Sequence, residues 1–224
     1  MINKIIRYER KWILENGNLF NLINSLIRSN FFFRNQYENR KVNSIYFDSS
    51  NFISVRQNLD GISEKKKIRL RWYGEINRII NPVIEIKIKK GFETKKSSIS
   101  INKLSGLCYP DFKNLDSIKK QINFKLETKK NIFPVASTHY EREYFISHDN
   151  KIRATIDYNL KSVYLNNFSQ IDITKNFKNV CILEFKYPVN LDQYVRKNLN
   201  YLSLRLSRNS KYINSLFEKP KSFS

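Results

Sequence analysis

Several residue types are scarce in this chain of 224 residues: two cysteines, two histidines, one methionine, five glycines and five prolines. Cys108 and Cys181 form no CxxC pair and lack metal-ligand spacing. That argues against a disulfide-stapled secreted domain and a thiolate metal centre, and suggests two reduced thiols in a cytoplasmic protein, Cys181 packed in a strand. His139 and His148 make no zinc pattern, so both are expected in structural or surface roles. No GxxxxGK[ST] loop occurs, so nucleotide phosphates, if bound, are not held by that device. No apolar run is long enough to span a bilayer. In the opening MINKIIRYERKW, Arg7, Glu9, Arg10 and Lys11 interrupt any signal-peptide core. No internal repeat or low-complexity linker divides the chain.

Negative charge is also scarce. Lys and Arg number 41 against 20 Asp and Glu, giving a net charge of +21 and a pI near 9.9. This balance favours an anionic partner: nucleic acid, an anionic membrane or a phosphate-rich small molecule. Richness in Lys, Asn and Ile is expected of an AT-rich genome and accounts for much of the surface lysine. It does not account for arginines placed at strand spacing. With 41% hydrophobic residues, the chain can also bury a substantial core.

Four segments place charged residues at every second position among apolar ones. Lys67, Arg69 and Arg71 alternate with Ile68, Leu70 and Trp72, while Glu85 and Lys87 alternate with Ile84, Ile86 and Ile88. Lys151, Arg153, Thr155 and Asp157 alternate with Ile152, Ala154 and Ile156, and Glu184 and Lys186 oppose Leu183, Phe185 and Tyr187. Strand side chains point to alternate faces, so each segment has one apolar and one ionic face. Strands are predicted at 3–13, 42–48, 66–73, 82–90, 95–101, 136–147, 151–158 and 180–187, with Lys65 in the preceding loop. Helical spacing marks 15–28, 50–59 (closed by Gly61) and 114–124, and two helices are predicted within 190–217. These elements predict an α+β fold: an eight-stranded antiparallel β-barrel tunnel with flanking helices. One domain would span 1–218, with a frayed tail at 219–224. The ionic faces would line the lumen, where burial is costly unless the charges pair or meet a charged ligand.

Tyr46-Phe47-Asp48, the run Lys67 to Gly74, Glu85-Ile86-Lys87, the strand bearing Arg153 and Asp157, Leu183 to Tyr187, and Ser210-Lys211-Tyr212 occur in that order. The series resembles the VTC domain, the polyphosphate polymerase module of the triphosphate tunnel metalloenzymes (the CYTH-like superfamily), from about residue 5 to 213. The resemblance implies an eight-stranded tunnel in which Lys11, Arg69, Arg71, Lys87, Arg142, Arg153 and Lys211 hold phosphoryl oxygens, with Lys186 and Lys95 or Lys96 extending the basic lining. It further implies that Glu184, with Glu9 or Glu85, binds Mn²⁺ or Mg²⁺. The expected activity is transfer of the ATP γ-phosphate to a growing polyphosphate chain. ATP and inorganic polyphosphate are the expected partners, and no nucleic acid is expected. Two alternatives are tripolyphosphate or nucleoside-triphosphate hydrolysis in the same tunnel and a non-catalytic polyanion-binding module. Taken singly, the Glu85–Lys87 and Glu184–Lys186 patterns are better read as ordinary ion pairs on a solvated sheet face.

Overall fold

The computed structural model describes residues 7–90, 93–109, 112–126, 131–165, 173–177, 179–199, 206–207 and 210–216. The elements are β1 (Arg7–Leu14), α1 (Leu19–Ile27), β2 (Arg34–Ser49), α2 (Ile53–Leu59), β3 (Glu64–Tyr73), β4 (Val83–Lys90) and β5 (Glu93–Ser100). A helical turn at Asn102–Leu104 leads to α3 (Phe112–Leu126), β6 (Ile132–Ile146), β7 (Arg153–Tyr164), β8 (Ile173–Phe177) and β9 (Cys181–Pro188). After a second turn at Val189–Leu191 come α4 (Asp192–Leu199) and α5 (Lys211–Leu216). The expected tail at 219–224 lies outside the described residues.

The strands form one antiparallel sheet in the order β1-β9-β7-β6-β2-β3-β4-β5, with β8 also paired to β7. The α+β class holds, but two expectations are corrected. The sheet has nine strands, and it is not closed by hydrogen bonds: among the described residues β1 and β5 remain its ends. A side chain spans the gap instead, with the Lys87 ammonium of β4 3.0 Å from the Glu9 carboxylate of β1. The physical reason lies in β5, where Lys95, Lys96, Ser97 and Ser98 are all exposed. Such a polar edge gains little by adding another strand.

The apolar faces point outward and are covered. Ile45, Phe47, Ile68, Leu70, Trp72 and Ile84 pack with Ile118 and Ile122 of α3 and with Leu104 and Tyr109 from the turn region. Around the sheet, Trp12, Phe145, Ala154, Ile156, Leu183 and Phe185 pack under Leu22 and Leu26 of α1 and Val195 of α4. Helix α1 starts where the Asn18 side chain accepts the Asn21 N–H at 3.1 Å, and its Leu22 and Leu26, four apart, face the sheet. Pro134 sits inside β6 at a register shift between Tyr46 and Phe47 of β2, where a missing backbone donor is tolerated.

Asp48 ties three elements together. Its carboxylate accepts the N–H groups of Ser49, Ser54 and Val55, fixing the start of α2, and accepts the Tyr212 hydroxyl of α5 at 2.7 Å. Phe52, at the entrance to α2, adopts a left-handed φ of 52°, a cost for a bulky residue that these bonds offset. Asp48→Ala should therefore lose a cap and leave the buried Tyr212 hydroxyl unpaired. A loss of about 2–4 kcal/mol is expected in urea denaturation. A loss under about 0.5 kcal/mol, the range of an ordinary surface change, would mean that Asp48 does not hold these elements.

Candidate functional site

The concave face of the sheet is ionic because alternation turns Lys67, Arg69 and Arg71 of β3, Glu85 and Lys87 of β4, Asp157 of β7, and Glu184 and Lys186 of β9 toward it. Cross-strand pairing sets Arg69 beside Glu85, Lys67 beside Lys87, and Lys87 beside Lys96. On the other flank, Lys11 lies opposite Glu184, Glu9 opposite Lys186, Glu184 opposite Thr155, and Asp157 opposite Arg142. The sheet curves until Glu9 meets Lys87, so both flanks share one lumen.

Within the lumen, carboxylates are outnumbered. At its centre Lys11, Lys67, Arg69, Arg71, Lys87, Lys96, Arg142, Lys186 and Lys211, nine cations, surround the four anions Glu9, Glu85, Asp157 and Glu184, with Lys65, Arg40 and Arg153 on the same face toward the strand ends. Each anion is shared. Glu85 accepts Arg69 Nε at 2.7 Å and Lys96 Nζ at 2.6 Å, with Arg71 3.5 Å away. Burial would raise its carboxyl, yet Arg69, Arg71 and Lys96 hold it at about 2. Glu184 lies 3.2 Å from Lys11 and 2.8 Å from Lys186. Burial opposes its charge too, but Lys11, Lys186 and Arg142 keep the carboxyl well below the usual range. Asp157 is fully buried and bonds Arg142 through both oxygens, at 2.5 and 2.8 Å, and Lys211 of α5 through one. It is held at about 2 by the same two cations against the upward push of burial.

Lys67 marks where the compensation runs out. Its ammonium donates to Ser210 Oγ at 2.9 Å. Burial first, then Lys11, Lys87, Lys65 and Arg69, bring it down to about 7. Several buried polar groups on this face also lack a partner among the described residues: Arg71 Nε and the hydroxyls of Ser44, Thr138, Thr155 and Ser162. In a folded protein such groups usually meet a ligand or water. Tyr140 lies beneath two cations, with the Arg142 guanidinium 5.3 Å and the Lys211 ammonium 4.6 Å from its ring centre. Burial would raise its hydroxyl, but Arg142, Arg71 and Lys211 draw it below its ordinary value.

Of the residues expected from sequence, Lys11, Arg69, Arg71, Lys87, Lys96, Arg142, Lys186, Lys211, Glu9, Glu85 and Glu184 share this lumen. Arg153 has the same facing but lies exposed at the end of β7, opposite Ile146 and Lys186. Lys95 is a correction: it pairs with Ile88, so alternation turns it to the apolar face of the sheet. Lys65 is another, since it belongs to β3 rather than to a loop and shares the lumen face with Lys67. Lys67 and Asp157 are bound into the site without having been assigned a role there. The signal for both was present, because Lys67 lies two residues from Arg69 and Asp157 four from Arg153, each on the same strand face. Thr155 stood on that ionic face in the sequence as well, whereas Tyr140 joined it only through the register of β6 with β2 and β7. His139 is structural: its ring bonds Ser137 and Asn43, and burial together with Lys161 lowers it to about 4.

A divalent cation has a partial donor set here. Glu9 and Glu184 are diagonal neighbours on β1 and β9; burial and the Glu184 charge raise the Glu9 carboxyl, but Lys87, Lys186 and Lys11 leave it below its ordinary value. Among the described residues no three His, Cys, Asp or Glu side chains group as a metal cage. Two carboxylates suit Mg²⁺ or Mn²⁺ when phosphate oxygens and water complete the shell, so the donor chemistry fits. Glu85 lies apart from this pair, within its arginines and Lys96.

Asp157→Asn leaves Arg142 and Lys211 facing each other without a buried anion, and a loss of about 3–5 kcal/mol is expected. In the wild type this carboxylate contributes stability above its unfolded value near 3.8, and the contribution is lost as pH falls toward about 2. Urea titrations between pH 5 and pH 2 (about the range of this transition) should show that the variant lacks this part of the acid sensitivity. A variant as stable as the wild type with an unchanged acid profile would remove Asp157 as the anchor.

The model of the VTC domain matches residues 6–217. No curated protein matches the sequence. Solved structures share the fold. A candidate adenylate cyclase from Bacillus halodurans is 14% identical with a TM-score of 0.56, over 95% of this chain and 97% of that one. A candidate adenylyl cyclase from Hippeastrum, described as having a dominant triphosphatase activity, is 10% identical with a TM-score of 0.54 over 93% and 95%. A candidate adenylate cyclase from Vibrio parahaemolyticus is 15% identical with a TM-score of 0.52 over 92% and 95%. With the match running through every strand of the lumen, this chain belongs to the VTC domain family.

Proposed function

We propose that the protein is a metal-dependent polyphosphate polymerase that transfers the γ-phosphoryl group of ATP to the end of a growing polyphosphate chain. The observation that carries this reading is the surplus of cations in an enclosed lumen, together with the unpartnered Arg71 Nε and hydroxyls beside them. A row of phosphates supplies what those groups lack. Arg69 and Arg71, two apart on β3, are spaced by about 6.5–7 Å along the strand, the scale of neighbouring phosphates. Guanidinium groups can grip such oxygens bidentately, and the lysines act as point charges.

In this reading Arg69, Arg71, Arg142, Lys11, Lys87, Lys96, Lys186 and Lys211 bind and align the phosphates, and Arg153 meets the substrate at the rim. The bond between the β–γ bridging oxygen and the γ-phosphorus breaks, and a terminal oxygen of the chain forms the new bond. ADP leaves with the bridging oxygen. The attacking oxygen is already anionic, so no strong general base is required. Positioning and charge stabilisation carry the step. Glu184 and Glu9 would hold Mn²⁺ or Mg²⁺, which when bound supplies charge neutralisation across neighbouring phosphates. Lys11 and Lys186, which hold Glu184 without substrate, would turn to phosphate and free that carboxylate.

A second reading, hydrolysis of tripolyphosphate or a nucleoside triphosphate, replaces the acceptor chain with water. The activity described for the Hippeastrum protein of the same fold favours it. A cytoplasmic protein suits either reaction; no helix among the described residues is long and apolar enough to cross a membrane.

Incubation with ATP and Mn²⁺ separates the readings. The polymerase yields ADP and long-chain phosphate, the hydrolase ADP and orthophosphate. Turnover in Glu184→Gln should fall by about 100-fold or more while polyphosphate binding is kept or tightened. A wild-type chain that binds polyphosphate but turns over no ATP with any divalent ion would be a binding module instead. Full activity in Glu184→Gln would take Glu184 out of the metal site.

Lys67 gives a test of the phosphate site independent of turnover. Its ammonium is depressed to about 7, so above that pH it is largely neutral in the free protein. A bound polyanion restores the charged form, and a proton is taken up. Calorimetry of tripolyphosphate binding at pH 8, in buffers of different ionisation enthalpy, should show more proton uptake by the wild type than by Lys67→Met. The difference should vanish below about pH 6, where Lys67 is already charged. Equal uptake at pH 8 would place the anion away from Lys67.

A further inference from the structure

Beyond Arg71 and Arg142 the lumen face changes character. Tyr73 is the last residue of β3, two past Arg71 and on the same face. Tyr144 stands two past Arg142 on β6, and Arg40 of β2 pairs directly with Arg142. The register shift between Tyr37 and Arg40 brings Tyr37 opposite Tyr144, adding a third ring to the same face. The Tyr37 and Tyr144 rings meet edge-on with centres 5.7 Å apart. Arg40 sits among all three, its guanidinium carbon 5.5, 5.7 and 5.7 Å from the centres of Tyr37, Tyr73 and Tyr144.

This rim is not part of the core. Tyr37 and Tyr73 are 52% and 43% exposed, and neither joins an apolar cluster of the outer face. Arg40 makes no ion pair among the described residues, and rings are its partners. Exposed π faces around an unneutralised guanidinium make a stacking surface for a flat, electron-rich ring. The rim lies about 6.5–7 Å along the strands from Arg71 and Arg142, a distance that a sugar spans. An inorganic phosphate chain has no apolar face to bury there, whereas a nucleoside has one.

We propose that Tyr37, Tyr73, Tyr144 and Arg40 form a subsite that stacks the base of a nucleoside triphosphate whose phosphates lie on Arg71 and Arg142. The inference rests on the phosphate-tunnel reading above and adds the donor's nucleoside and its orientation. The base sits at this rim and the γ-phosphate points inward. Stacking reads area rather than hydrogen-bond pattern, so purine nucleotides bind more tightly than pyrimidine ones, with little choice between adenine and guanine.

The test is calorimetry on the full chain in EDTA, which prevents turnover, with ATP, UTP and inorganic tripolyphosphate. In the wild type, ATP is expected to bind more tightly than UTP. In the Tyr73→Ala/Tyr144→Ala variant the ATP dissociation constant is expected to rise about tenfold or more, while that for tripolyphosphate changes by less than about twofold. The Tyr73→Phe/Tyr144→Phe variant keeps its rings and should keep its ATP affinity. Retained ATP affinity in the alanine variant overturns the subsite and leaves the phosphate site standing. Equal wild-type affinity for ATP and UTP overturns it regardless of how the variants fold. If the wild type binds tripolyphosphate no better than it binds sulfate, the tunnel reading itself fails and the subsite falls with it.

Discussion

Like charges crowded on an enclosed sheet face are the constraint on which the rest of this structure depends. Nine cations gather around four carboxylates in one lumen, and burial opposes the charge of the deepest of them, Lys67, Asp157 and Glu184 among them. The fold answers by sharing each anion between strands. Glu85 joins β3, β4 and β5; Asp157 joins β7, β6 and α5; Glu9 joins β1 to β4 where no backbone ladder closes the sheet. What is left uncompensated appears at Lys67, whose lowered affinity for a proton is the local response to neighbouring positive charge. A phosphate chain in the lumen would relieve that repulsion, so the feature that strains the free protein is also what favours binding.

Helix α5 shows how a short motif can serve as a latch. Ser210 accepts from Lys67 of β3, Lys211 reaches Asp157 of β7, and Tyr212 bonds Asp48 and stacks on Tyr46 of β2 with ring centres 5.0 Å apart. Three consecutive residues thus engage three strands, which explains why they occur together. The same contacts place Lys211 above Tyr140, within the charged lining. A helix of six residues could not be stable alone and is held by these partners.

Much of the fold was legible because alternation is a local property. The charged runs of β3, β4, β7 and β9 revealed their ionic and apolar faces, and the helical spacing of α1 and α3 identified the elements that cover the apolar face. The first half of β2 was not legible: residues 34–41 are mostly exposed and polar, and their pairing with the end of β6 leaves no apolar stripe. Strand β8 was missed as well, since it is a five-residue piece paired only to β7. The site was legible to the extent that strand parity and family motifs reached. They gathered most of the basic lining and failed at Lys95, where one residue of register separates lumen from outer face.

By itself, the sequence determined that several strands would carry an ionic face and that positive charge would exceed negative on it. It also determined which side chains alternate, since these follow from residue order and the two-residue period of a strand. Only the tertiary structure decided which carboxylate each cation meets. It set Glu85 among arginines and left Glu9 and Glu184 as neighbours, stopped the sheet short of a closed ladder, and brought Arg40 and three tyrosines to one rim. Those outcomes depend on cross-strand register and on bulges between segments far apart in the chain. Electrostatic pairing acts through space, and residue order alone does not fix that distance.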